Sequence, residues 1–166
     1  SPSGKTLESL MANVPTLELD EGELQVWRSQ HHRPVAMCPC CRERSRMRAR
    51  NPEGHAIHSI LHHARIHETE LVVRLPAAHC DLTTTFVPDR IEGRDGYLMV
   101  GDETEENVMQ IDMRYLHALA IDTTRHDGCD YSLLRMFDPR GLITFTLMAE
   151  GTAYAGIWRN ICEDHR

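Results

Sequence analysis

The hydrophobic period of this chain changes from helical to two near residue 70, and that switch limits its possible folds more than any other feature. In the stretch that opens at Asn51-Pro52-Glu53-Gly54, Ile57, Ile60, Leu61 and Ala64 fall on one side of a helical wheel. His55, His58 and His62 fall on the other side, and Pro52 with Glu53 suits a helix start. From Leu71 the period is two. Leu71, Val73 and Leu75 alternate up to Pro76; then Cys80, Leu82, Thr84 and Phe86 share one face while His79, Asp81, Thr83 and Thr85 share the other. A turn at 93–96 precedes a strand at 97–100, and 109–113 and 115–121 also read as strands, followed by a polar turn at 123–128. Asp138-Pro139-Arg140-Gly141 is turn sequence between strands at 131–137 and 142–148. The inward residues of that hairpin are expected to include Leu134, Met136, Ile143 and either Phe145 or Leu147. Residues 151–162 read as a closing helix anchored by Trp158. The sum is an α+β fold: N-terminal helices, a meandering antiparallel β-sheet and a C-terminal helix.

The front of the chain is less regular. Residues 5–12 suit a short helix, 17–27 mix apolar and acidic side chains without a clean period, and 31–52 read as an irregular Cys/Arg-rich loop. The expected organisation is therefore a segment 1–50 followed by a domain 51–166, together one compact unit. With 166 residues, 41% hydrophobic and 26% charged, the chain is long enough to bury a core and is not broadly disordered. No apolar run approaches the length of a bilayer span, and no basic segment followed by an apolar stretch opens the sequence. A net charge of −7 disfavours general nucleic-acid binding. The six cysteines do not space out as a disulfide framework, so a cytoplasmic setting with mostly free thiols is expected. No Gly-x-Ser-x-Gly elbow, phosphate loop or HExxH motif is present, and an enzyme is not the favoured expectation.

Three clusters carry chemistry. His55, His58 and His62 line up at i, i+3, i+7, and His63 with His67 at i, i+4. Histidines one turn apart can share a metal ion or supply an axial ligand; the alternative is a solvated helix face. Cys38-Pro39-Cys40-Cys41 offers three thiols, and His31 with His32 can complete a zinc shell; the alternative is free thiols in a loop. Arg42, Arg44, Arg46, Arg48 and Arg50 either meet an anionic partner or form a solvated loop that pairs with the acidic residues 102–106.

The order of the elements, with particular residues at the turns, resembles a known family. Ile60-Leu61, the strand from Glu70 to Leu75, Gly96-Tyr97-Leu98, Met109-Gln110-Ile111 and Trp158 keep its spacing. Ser132-Leu133-Leu134-Arg135-Met136-Phe137-Asp138-Pro139-Arg140-Gly141 is similar to its S-L-x-x-F-D-x-x-G hairpin, with one more residue between Ser-Leu and Phe-Asp. That family is the haem-utilisation fold of HutX/ChuX-type haem carriers and of each half of HemS-type haem-trafficking or haem-degrading proteins. The resemblance implies an intracellular haem-binding protein, a carrier or store, working as a homodimer with haem against the sheet. Where HemS-type proteins place a ligand histidine this sequence has Asp81, and where the carriers place histidines it has Gly93-Arg94-Asp95. His79, two residues before Asp81 on the same strand face, is then the candidate iron ligand, with Asp81 orienting it. Arg94 or Arg74 is expected to meet a propionate, His58 and His62 to act if their helix covers the pocket, and Leu98 and Val100 to supply the apolar face. The alternative is a relative without haem, serving as a zinc-stabilised or scaffold interaction module.

Overall fold

The computed structural model describes residues 37–77 and 79–165. The expected helix at 5–12, the segment 17–27, His31 and His32 lie outside the described residues. Among those described, three α-helices and eight strands follow in the order α1 (Pro39–Arg50), α2 (Ala56–Ile66), β1 (Leu71–Pro76), β2 (Asp81–Phe86), β3 (Pro88–Arg94), β4 (Tyr97–Asp102), β5 (Val108–Asp112), β6 (Ala118–His126), β7 (Cys129–Phe137), β8 (Ile143–Glu150) and α3 (Ala153–Asp164). The α+β class is as expected.

Two antiparallel sheets share the strands. The larger has the order β2-β1-β8-β7-β6, and the smaller is the meander β3-β4-β5, inserted between the two edge strands of the larger one. Val72 of β1 faces Met148 of β8, so the first and last strands pair near the middle of the larger sheet. The hairpins β3–β4 and β6–β7 turn on Asp-Gly pairs with positive φ at both residues: 53° and 84° at Asp95-Gly96, 50° and 79° at Asp127-Gly128. That geometry matches the right-handed twist of the flanking strands.

Helix α2 buries Ile57, Ile60, Leu61 and Ala64, the stripe its period marks, in a core shared with Leu71 and Val73 of β1, Leu98 and Val100 of β4, Leu134 and Met136 of β7, Phe145 and Leu147 of β8, and Trp158 of α3. Full burial of one such side chain stabilises by about 1.5–3 kcal/mol. Leu98 and Val100 are 0% exposed, so they belong to this core and offer no face to a ligand.

Several expectations are corrected. Residues 39–50 form a helix rather than an irregular loop. Alternating arginines hide it because they mark no apolar stripe, but Pro39 stands in its first turn and Arg48 and Arg50 in its last. It docks through polar groups onto a 3-10 turn at Met113–Tyr115, which replaces the end of the strand expected at 109–113 and the start of that at 115–121. Ser45 Oγ donates to the Arg114 carbonyl at 2.8 Å, and Arg48 Nε to the Met113 carbonyl at 2.9 Å. The helix arginines do not pair with the acidic stretch: Arg46 and Arg50 meet Glu43 of their own helix, and Glu105 meets Arg90. Strand β3 was not expected, since Pro88, Asp89, Glu92 and Gly93 are poor strand formers. Strand β6 runs on to His126 through the expected polar turn.

At the β7–β8 hairpin, Leu134, Met136, Phe145 and Leu147 are buried, whereas Ile143 is 38% exposed. The register explains this. Met136 faces Phe145 but Phe137 faces Ile143, so Thr144 is the extra residue of a bulge. Its Oγ1 donates to the Met136 carbonyl at 3.2 Å, and Ile143 is turned to the opposite face of the sheet.

Candidate functional site

Helices and the smaller sheet cover one face of the five-stranded sheet; the registers define the other, open face row by row. One row runs Asp122, Leu133, Met148, Val72 and Thr85 across β6, β7, β8, β1 and β2. The next runs Ala120, Arg135, Thr146, Arg74 and Thr83. Beyond it, at the end where the β1–β2 and β7–β8 hairpins turn, lie Pro76 opposite Asp81, and Phe137 opposite both Ala118 and Ile143. The face therefore carries Arg74 and Arg135 two strands, or about 10 Å, apart, with Leu133, Met148 and Val72 on one side of them, Pro76, Phe137 and Ile143 on the other, and Asp122 and Asp81 on the edge strands.

The two arginines differ in their partners. Arg74 is held by Asp81 in a two-pronged pair, Nε to Oδ1 at 2.9 Å and Nη2 to Oδ2 at 2.7 Å. These bonds hold the Asp81 carboxyl below the usual carboxylate range and raise Arg74. Arg135 has Asp122 only at 3.8 Å, and its Nε is buried with no hydrogen-bond partner among the described residues. A buried guanidinium N–H without an acceptor is costly. The Arg135 side chain as a whole is 37% exposed, and its guanidinium is the one on this face, among the described residues, that no carboxylate holds closely. Sequence reasoning did not single out Arg135, although an arginine at an alternate position of an otherwise apolar strand was visible.

His79 is exposed in the bend just before β2, at the hairpin end of the open face, beside Asp81. Arg94 is elsewhere. It pairs with Glu92 at 3.1 Å in a cavity of about 440 Å³ on the smaller sheet, where Asp89, Glu92, Asp102 and Glu105 outnumber Arg90 and Arg94. Such a cavity repels a dianion. His58 and His62 are on α2, away from the open face, with rings stacked 6.0 Å apart; burial, the largest cause, holds His58 below its ordinary value.

His55 is not part of the polar helix face. It is the N-cap of α2, its Nδ1 accepting the Ile57 N–H at 3.1 Å, and burial, with help from Arg48 and His165, holds its imidazole down at about 4. The rings of His63 and His67 are 4.3 Å apart, and His63 Nδ1 is buried with no hydrogen-bond partner among the described residues.

Among the described residues, only Cys38, Cys40 and Cys41 bring three His, Cys, Asp or Glu ligand atoms within 4.8 Å of one another. Cys38 is the N-cap of α1, with its Sγ 3.0 Å from Cys40 Sγ and 3.5 Å from the Cys41 N–H. The Cys40 thiol, and behind it the Cys41 N–H, lower the Cys38 thiol to about 7. Its bond to Cys38, then burial, pushes Cys41 up to about 11. No helix among the described residues is long and apolar enough to cross a membrane.

The same α+β architecture is found in three solved structures. Apo-PhuS, a heme-binding protein from Pseudomonas aeruginosa, superposes with a TM-score of 0.53 at 17% identity over 66% of this chain and 32% of its own. ChuX superposes at 0.52 and 12% identity over 68% of this chain and 73% of its own. ChuS, an E. coli heme oxygenase, superposes at 0.54 and 16% identity over 67% of this chain and 34% of its own. The chain thus spans about a third of the length of PhuS and of ChuS. No family model matches the sequence, and no curated protein does.

Proposed function

We propose that this chain binds haem on the open face of its five-stranded sheet and acts as a haem carrier or store. The observation that carries the proposal is Arg135, a partly exposed guanidinium with Asp122 only at 3.8 Å that stands among apolar side chains of the open face, in a fold shared with a heme-binding protein. Haem is a flat apolar ring with two propionates and, when bound, supplies an iron centre that takes axial ligands. The residues of this face fit those needs. Arg135 and Arg74 meet the propionates, and Asp81 keeps Arg74 in position. Pro76, Phe137 and Ile143 support the ring, and His79, at the same end, is the iron ligand. Arg94, His58 and His62 take no part in this arrangement. We also infer a homodimer, which sedimentation with and without hemin tests. The cytoplasm is the proposed setting, because thiols outside disulfides at Cys38, Cys40, Cys41, Cys80 and Cys129 suit a reducing compartment.

The test is an absorbance titration with hemin. A saturable Soret band is expected. His79→Ala and Arg135→Gln should each weaken binding by about tenfold or more, equivalent to about 1.4 kcal/mol. The double change of His58 and His62 to Ala should leave affinity as it was. Hemin that binds no better than to an unrelated acidic protein overturns the proposal, as do His79→Ala and Arg135→Gln chains that bind like the parent.

A further inference from the structure

We propose that Cys38, Cys40 and Cys41 supply three thiolate ligands to a site for Zn²⁺ at the start of α1, with a fourth coordination position that no described residue fills. This site is independent of the haem reading. It rests on the three Sγ atoms lying within 4.8 Å of one another and on the exposure of Cys38 and Cys40, with Cys41 half-buried. Sulfurs bound at ~2.3 Å to one tetrahedral cation stand about 3.8 Å apart. Cys38 and Cys40, at 3.0 Å, need to open by less than an ångström, and no pair in the trio needs to close by more than that. Rotation about side-chain bonds covers both adjustments.

The backbone prepares the site. Pro39 occupies the first turn of the helix and fixes φ between Cys38 and Cys40, so the two thiols are held on one side of a rigid step. The Cys41 N–H points at Cys38 Sγ, the kind of bond that orients a thiolate ligand and steadies its charge. Zn²⁺ with three thiolates carries one net negative charge. The α1 N-terminus favours that charge, and Arg42 stands beside it, its guanidinium on the Met37 carbonyl at 3.3 Å. Three ligands come from four consecutive residues, and among the described residues no fourth ligand joins them. Closed structural zinc sites have four protein ligands; a site with three and an open position exchanges its ion or accepts an incoming donor.

The full chain, reduced and stripped of metal, is titrated with Co²⁺, then with Zn²⁺. Expected are a visible thiolate–cobalt absorption that saturates near one ion per chain and its loss on adding Zn²⁺. Cys38→Ser, Cys40→Ser and Cys41→Ser should each lower Co²⁺ affinity by about tenfold or more, while Cys80→Ser and Cys129→Ser leave it alone. Serine is itself a good N-cap, so Cys38→Ser keeps the helix while removing the thiolate, as far-UV circular dichroism checks. Fully reduced chain that takes up no Co²⁺, or an absorption the three variants leave unchanged, overturns the proposal.

Discussion

Ser132 of β7 caps helix α3 from outside the helix: its Oγ accepts the Ala155 N–H at 2.8 Å and donates to the Gly151 carbonyl at 2.8 Å. Thr152, the residue at the helix N-cap, makes no side-chain cap bond of its own. A fully buried strand hydroxyl thus does the work of a local cap and ties the last helix to the middle of the sheet. Ser132→Ala leaves a buried donor and a buried acceptor unmatched and should cost about 2 kcal/mol. Urea unfolding should show a lower midpoint at unchanged slope. A midpoint equal to the parent's would mean that water replaces the hydroxyl.

Acid should weaken the fold well before the carboxylates titrate. His55 titrates at about 4 in the folded chain and near 6.5 when unfolded, so the unfolded state binds more protons between those values. Stability is therefore complete above about 6.5 and falls as pH drops toward 4, by about 3 kcal/mol at most. His58 and His63, also shifted down, act in the same direction. Protonation removes the acceptor that caps α2 as well. His55→Asn keeps a capping oxygen and cannot titrate, so its stability should be flatter across this window. Denaturant midpoints at a series of pH values decide; parallel curves for the two chains refute the assignment.

The β7–β8 turn depends on one carboxylate. Asp138 Oδ1 accepts the Arg140 and Leu142 N–H groups at 2.8 and 3.0 Å, and Oδ2 accepts Arg140 Nε at 3.0 Å. Burial alone would push its carboxyl up, but these bonds together hold it below the usual range. Its contribution is present above that range and is lost as pH falls through the lowered value. Asp138→Asn should cost about 2 kcal/mol and raise amide exchange at Leu142 in particular. Unchanged exchange there would argue against the turn as the seat of the effect.

Two glycines should respond oppositely. Gly96 has φ of +84°, and an added Cβ would sit 3.5 Å from Ala49 Cβ of α1, so Gly96→Ala is strained by its backbone and should cost about 1 kcal/mol or more. At Gly101 an added Cβ meets only Arg90 Cβ at 3.7 Å, an ordinary contact, and Gly101→Ala should be neutral or stabilising by up to about 1 kcal/mol. Thermal melts of the two variants give the comparison directly; equal losses would contradict it.

Elements with a clean hydrophobic period were legible in the sequence. Ile57, Ile60, Leu61 and Ala64 mark α2, and Leu134 and Met136 the buried face of β7, because one period dominates there. Helix α1 and strand β3 were not legible, since one docks through Ser45 and Arg48 rather than an apolar stripe and the other is built from poor strand formers. Ile143 was misplaced because a bulge changes face without changing composition. The candidate site was harder still. Arg135 gains meaning only from its strand neighbours and from an N–H left without an acceptor, neither of which a linear spacing contains.

The pairing of Val72 with Met148 also sets a timetable. As the chain leaves the ribosome, β1 and β2 can form a hairpin at once, and β3 to β5 can complete their meander by local contacts. The strand that joins the halves of the larger sheet is the last one made. Until it arrives, β1 has an unfilled edge and the apolar stripe of α2 lacks much of its cover. Closure over so long a loop is slow relative to local pairing, and a nascent chain stalled before residue 143 would carry the surface that chaperones and aggregates recognise.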